Sequence, residues 1–360
     1  MASEVIMPLW YSASMKVKCY IQGMAAISPQ STFEGDITNM PLVRTESNRL
    51  ACIEPDYKPY IPANSLRRMT RILKMGLTAA LKCLAESGVS TPGPIVTGTG
   101  KGSLQDTEKF IKEIEQYKET ALNPTPFIQS TYNSVNGLIA LQQQGTDYNN
   151  TFVHRGFSFE NALVDSMMLL QEGYTHTLTG GFEEITPEHF YIKSRIGHWR
   201  TEPVANTDLF NQELPGTIAG EGSTFFVLGA EANEHSIAAL SACKLLYKPD
   251  PMQLTATLRE LGADADLIIS GTNGDSNHAH YYHLLNNTLT QPSIPFKHLC
   301  GEYETAGAFA LWLAASLLKA GTIPSALFPM VQQLPSNFKK IVIYNHFYGE
   351  QHTVMVVERV

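Results

Sequence analysis

The stretch 151-TFVHRGFSFENALVDSMMLLQEG-173 reads as a short buried strand that turns sharply into a helix. Gly156 stands at the turn and Gly173 closes the helix. A strand running into a helix N-terminus is a place where many enzymes put a nucleophile, because the positive end of the helix dipole favours an anionic side chain there. The residue at the turn therefore decides what the chain can do.

Outward from this turn, short β-branched runs alternate with longer helical patterns, as in layered α/β folds. On the N-terminal side, "KVKCYIQG" and "GPIVTGTG" read as strands. Between them "NSLRRMTRILKMGLTAALKCLAESG" has helical spacing, cap candidates Asn64 and Ser65, and a stop at Gly88. "SLQDTEKFIKEIEQYKE" predicts a second helix, and "PFIQSTYNSVNGLIALQQQG" a third that includes Asn133 and Asn136. Strands at "NTFVH", "THTLTGG" and "STFFVLGAE" complete a first half, 15–230. A second half, 231–360, repeats the alternation through "SIAALSACKLL", "PMQLTATLRELG", "ADLIISGTNG", an Ala- and Leu-rich helix after Gly307, "KKIVIYNH" and "QHTVMVVERV". No low-complexity linker divides the halves, which predicts one compact body. Residues 1–14 precede a second methionine, Met15, and read as an appended arm.

Composition narrows the function classes. The chain has 360 residues, 43% hydrophobic and 17% charged, with a formal charge of -8, which gives no reason to expect a polyanionic partner such as nucleic acid. Five scattered cysteines without a CxxC pair predict a reduced, cytoplasmic setting. The longest apolar run, "AGAFALWLAASLLKAG", is broken by Lys319 and is too short to span a membrane. The N-terminus lacks the basic flank and cleavage site of a signal peptide.

The order of these elements, with "GMAAISPQ", "PIVTGTGKGSLQDTEKF", "LTGGFEE" and "GTIAGEGSTFFVLG", resembles the β-ketoacyl-acyl carrier protein synthases over nearly the whole chain after Met15. "TPFIQSTYNSVNG" and "HRGFSFENAL" are similar to the chain-length-factor-like branch of aryl polyene and flexirubin pigment clusters. The resemblance implies a thiolase-like five-layer α/β/α/β/α fold made of two similar halves.

It also implies where chemistry would sit. A ketosynthase carries its acyl chain on a cysteine thiolate at a helix N-terminus, and two histidines support decarboxylation and stabilise the enolate oxygen. The cysteine lies about 17 residues before the glycine that ends its helix; here that position is Gly156, with no cysteine within about three residues. The first histidine belongs to an HGTxT loop, matched by "IISGTNGD" with Ser270 in its place. The second belongs to KxxxGH, matched by "KHLCGE" with Lys297 and Gly301 kept and Glu302 in place of histidine. The loop near the C-terminus is altered to "NHFYGEQH", which puts Phe347 and Tyr348 at the site. Lys297 and Glu302 read as an ion pair in the vacated centre.

Individual residues admit more than one reading. Gly156 either permits a tight turn or widens the former acyl site. His154 and Arg155 either meet a carrier phosphate or satisfy local groups. Ser158 is a helix-start cap or a nucleophile, although "GFSFE" lacks the second glycine of a GxSxG elbow. "GTGKGS" lacks phosphate-loop spacing, and Cys300 reads as inert packing. His278, His280 and His283 have helical metal-like spacing without an acidic ligand; no metal or cofactor is expected.

The leading expectation is a catalytically silent ketosynthase homologue paired with an active ketosynthase, elongating a polyene or fatty acyl chain on an acyl carrier protein. Two alternatives stand beside it: an active acyltransferase or divergent condensing enzyme using Ser158, His154 or Glu302, and a homodimeric acyl-binding protein. The resemblance implies pairing through the strand "NTFVH", with Phe127, Ile128, Val135, Leu138 and Phe152 as interface or tunnel wall, or else as monomer core.

Overall fold

The computed structural model describes residues 18–118, 120–211 and 214–360. The proposed arm, 1–14, lies outside them. Ten strands form the main sheet: β1 Cys19–Ile27, β2 Ile95–Gly98, β3 Asn149–Phe152, β4 His176–Glu183, β5 Gly222–Gly229, β6 Ala238–Tyr247, β7 Leu267–Ser270, β8 Ser293–Pro295, β9 Lys340–Phe347 and β10 Gln351–Glu358. Their spatial order is β8-β7-β9-β10-β6-β1-β5-β4-β2-β3. Each run of five strands thus has the same arrangement, third, second, fourth, fifth, first. The two runs join where β1 pairs antiparallel with β6, Tyr20 opposite Ala239. In each half the second strand is parallel to its third and fourth, and the fifth is antiparallel to both of its neighbours.

Nine helices of six or more residues stand among the described residues: α1 Arg71–Ser87, α2 Leu104–Tyr117, α3 Pro124–Gln129, α4 Ser134–Gln143, α5 Ser158–Gln171, α6 Pro187–Arg195, α7 Pro251–Gly262, α8 Ala279–Thr288 and α9 Ala306–Ala320. α5 and α9 touch strands of both halves and form the middle layer. α1 and α4 cover the outer face of the first half, and α7 and α8 that of the second. The result is the expected five-layer α/β/α/β/α body. α9 is buried from Ala306 through Leu318, which its alternation of alanine with Phe309, Leu311, Trp312 and Leu313 allows, since small residues let the two halves of the sheet approach one helix. Gly321, at φ +67, ends it with its N–H on Leu317 O.

Two helix readings need correction. α1 starts at Arg71 after Thr70; residues 63–66 make a separate single turn, so Asn64 and Ser65 do not cap it, while Gly88 at φ +72 does stop it. The third expected helix is two. Asn123 caps α3 by accepting from Thr125 N–H, and the chain breaks at 130–133. There Ser130, Thr131 and Ser134 hydroxyls donate to the carbonyls of Phe127, Ile128 and Gln129, competing with the helical ladder. Asn133 lies at the start of α4.

Candidate functional site

β3 ends at Phe152, and a single tight turn, Arg155–Phe157, leads into α5. The Ser158 hydroxyl accepts from His154 N–H (2.8 Å) and donates to Arg155 O (2.8 Å), so it is bound to backbone on both sides. The exposed His154 imidazole meets the Asn161 amide at 3.0 Å, away from Ser158. The left-handed residue of the turn is Arg155, at φ +51, and not Gly156.

This corrects both readings of Gly156. Its backbone needs no glycine, and the space beside it is filled. A Cβ at position 156 would lie 2.2 Å from Phe347 Cβ and 2.5 Å from its Cγ, far inside any real contact. Phe347, buried at the end of β9, stands where a side chain at the turn would project. The segment after it is tied down around the turn. Gln351 accepts from Gly156 N–H (2.9 Å) and donates to His154 O (3.0 Å). Glu350 pairs with Arg155 (2.6 Å) and Lys248 (3.1 Å), which hold its carboxyl below the usual range. Tyr348, itself left-handed at φ +47, stacks on His198 with ring centroids 3.8 Å apart, and Lys193 lies over both the Phe347 and Tyr348 rings.

The second-half loops meet each other directly. Lys297 Nζ lies 2.7 Å from Glu302 Oε1, with the lysine fully buried and the glutamate nearly so. Asn273 donates to the other oxygen, Oε2, at 2.8 Å, so both carboxylate oxygens are satisfied. Burial raises the Glu302 pKa, opposed by the Lys297 charge and the Asn273 amide. Ser270 ends β7 with its hydroxyl 2.7 Å from that of Thr272, and its carbonyl accepts from Phe296 N–H. Ser270 is also register partner of Tyr344 on β9, the strand that delivers Phe347 to Gly156. The segments of Gly156, Ser270 and Glu302 therefore converge around the end of β9.

Several groups were not marked by the sequence. Gln351 at the start of β10, Glu350 just before it, Asn273 after β7 and Lys193 on α6 come from segments far apart in the chain. Glu160, on the first turn of α5, is fully buried and neither carboxyl oxygen has a hydrogen-bond partner; burial pushes its pKa up to about 8. A signal existed in its position four residues after Gly156, on the helix face that also carries Phe159, Leu163 and Met167.

The remaining candidates separate. Phe127 and Ile128 are 56% and 64% exposed on α3; Tyr132 in the break after it, Leu141 on α4, and Tyr148 and Val153 on either side of β3 are also exposed. Leu138 is half-buried against the outer layer, and Phe152 is half-buried beside Val96, Ala162 and Leu169. Val135 belongs to the monomer core, its methyl 2.6 Å from where a Cβ on Gly76 would stand. In "GTGKGS", Gly100 N–H donates to Glu183 and Gly102 N–H to Thr99, so the loop binds its own chain. All five cysteines are buried free thiols, with Cys300 pushed up to about 12 by burial. Among the described residues no trio of His, Cys, Asp or Glu is placed to hold a metal, and no helix is long and apolar enough to cross a membrane.

One further feature is a cleft of about 710 Å³ between the N-terminal ends of α1 and α3 and one side of α2. Arg67, Arg68, Arg71, Lys74 and Lys109 line it, against Glu54 and Asp106. Arg71 is engaged by the buried Glu221 and by Glu54; the other four enter no ion pair among the described residues.

Residues 46–201 match the family model described as beta-ketoacyl synthase, N-terminal domain. A 3-oxoacyl-[acyl-carrier-protein] synthase 2 from Synechocystis sp. is 22% identical over 59% of this chain and 58% of that protein, so the match spans little more than half of that relative. Among solved structures, a ketosynthase in complex with its chain length factor from Xenorhabdus doucetiae superposes with a TM-score of 0.75 at 15% identity, over 96% of this chain and 98% of that one. A type II polyketide acyl carrier protein in complex with its ketosynthase bound to the hexaketide gives 0.73 at 17% identity, over 96% and 100%. The chain thus has the fold of the ketosynthases, and its residues 46–201 are similar to the beta-ketoacyl synthase N-terminal domain.

Proposed function

We propose that this chain is a catalytically silent ketosynthase homologue that pairs, as a chain-length-factor-like subunit, with an active β-ketoacyl-acyl carrier protein synthase in polyene or fatty acyl elongation. The observation that carries this reading is the centre itself. Position 156 has no atom to acylate, and the carboxylate at 302 is neutralised within the chain by Lys297 and Asn273. An acyl-enzyme needs a nucleophile, and an enolate needs a donor rather than an acid already committed to a lysine.

Three further features support the partners. β3 is an edge strand whose outer side has no neighbour in the sheet, and the apolar residues flanking it suit an interface that continues the sheet. The cationic cleft offers four basic side chains that enter no ion pair among the described residues, on a chain of net charge -8, a docking face for an acidic carrier. The solved relatives in complexes bear partners of both kinds. The Ser158 hydroxyl, bonded to two backbone groups, disfavours the acyltransferase alternative.

Co-expression with a cysteine-bearing ketosynthase of the same gene cluster tests the reading. The expected result is a mixed dimer that elongates carrier-bound acyl chains, while this chain alone neither takes up an acyl group nor releases carbon dioxide from malonyl carrier. Full product formation by the ketosynthase without this chain, or turnover by this chain alone, overturns it. Charge reversal of Arg68 and Lys109 together should weaken carrier binding at least tenfold at low salt, and the difference should shrink as salt rises.

A further inference from the structure

The loss of a nucleophile leaves open whether the centre still holds an acyl chain, as a binding protein would. We propose that Phe347 is a built-in plug: its ring and Cβ fill the volume that a side chain at 156 and the acyl end near it would need, so this subunit's own centre accepts no acyl group. The inference rests on the reading that position 156 is the vacated nucleophile position.

The geometry sets the plug apart from ordinary packing. A glycine usually marks a backbone that must be left-handed or a neighbour that must come close. Gly156 is not left-handed, so closeness is the reason, and the close atom is the root of Phe347, which no rotamer change can move away. The ring is then held from several sides. Gln351 bridges the turn by two hydrogen bonds, one to Gly156 itself. Arg155 binds Glu350 three residues beyond the ring, and Lys193 lies 5.7 Å above it. Two left-handed residues that are not glycine, Arg155 and Tyr348, adjoin Gly156 and Phe347, so the backbone on both sides departs from its preferred conformation to hold this approach. A binding cavity for acyl chains would not be expected to invest strained backbone in closing itself.

The test is a double-mutant cycle with a ligand arm. Gly156→Ala in the parent should lower Tm by at least about 3 °C, since the added methyl has nowhere to go. In the Phe347→Gly background, which removes the Cβ itself, the same change should cost less than half as much. Equal costs in both backgrounds overturn the plug. Phe347→Ala, which keeps the Cβ but removes the Cγ that would lie 2.5 Å from the added methyl, is made in parallel and should relieve a smaller part of the cost, so that a fold too weak to measure in the glycine variant still leaves one readable cycle. For the ligand arm, hexanoyl-pantetheine should show no binding to the parent by calorimetry, and benzene, the size of the ring removed, should raise the Tm of Phe347→Ala but not of the parent. Saturable binding of hexanoyl-pantetheine to the parent that survives Ile128→Glu on the outer surface places an acyl site at the centre and sinks the proposal. Pairing with the ketosynthase is read separately by gel filtration, so failure of the plug and failure of the silent-partner reading give different results.

Discussion

The third strand of each half leads into one end of the candidate site, and the two ends are closed by different physics. After β3, Gly156 lies against the ring of Phe347. After β8, Lys297 lies against the carboxylate of Glu302. The first closure is apolar and steric, and its cost is spread over many weak contacts. The second is ionic and fully buried, so each partner depends on the other for its charge to be tolerated at all. A packed closure degrades gradually when trimmed, whereas a paired closure fails abruptly when one member goes.

That contrast can be broken most directly at the ion pair. Lys297→Met leaves the Glu302 charge buried with only Asn273 beside it and should cost about 3–5 kcal/mol in chemical unfolding. Lys297→Met combined with Glu302→Leu should recover most of this loss. If the single variant proves no worse than the double, the pair is not what closes the second end.

A second test asks which half faces a partner. Ile128→Glu, on the exposed surface of α3, should weaken the mixed dimer at least about tenfold in analytical ultracentrifugation, with monomer stability changed by no more than about 0.5 kcal/mol. Met252→Glu, on the second half and 82% exposed, serves as its counterpart and should leave association unchanged. Equal effects at both positions would remove the distinction between the halves.

The smallest effect concerns Glu160, a buried acid with neither kind of closure. Its folded pKa is raised to about 8, against roughly 4.3 in the unfolded chain. Below about pH 4 both states hold the proton and there is no penalty. As pH rises from there to about 8 the unfolded state ionises first, so stability is lost across that window. Glu160→Gln should flatten that slope and raise stability at pH 7.5 by at least about 1 kcal/mol, read from unfolding curves taken at several pH values. An unchanged slope would mean that the carboxyl finds compensation in the fold.

Much of this was legible beforehand where a single residue reports its own constraint. Gly88 announces a helix end, and the spacing from Gly173 back to Gly156 locates the turn without any coordinates. The Lys297–Glu302 pair was legible because the two residues are five apart and share one loop. What escaped were relations between distant segments. Phe347 was marked as a site residue, yet nothing in residues 345–352 says that its Cβ will meet Gly156 nearly two hundred positions away. The cationic cleft draws on 67–74 and Lys109, which look like solvated helix faces when read separately. The break between α3 and α4 was missed because apolar spacing continues through 130–133, while the hydroxyls that end the ladder act through backbone bonds that periodicity does not encode.

The position of β1 bears on how the chain is made. This strand, "CYIQGMAAI", finds its partners only in β5 and β6, about two hundred residues downstream, with Ala25 opposite Phe225. On a ribosome adding roughly 5–20 residues per second, an apolar segment therefore waits on the order of 10–40 s before either edge can be covered. Such a nascent chain is a natural client for chaperones, and synonymous codons between residues 28 and 221 should influence its soluble yield more than those after residue 250.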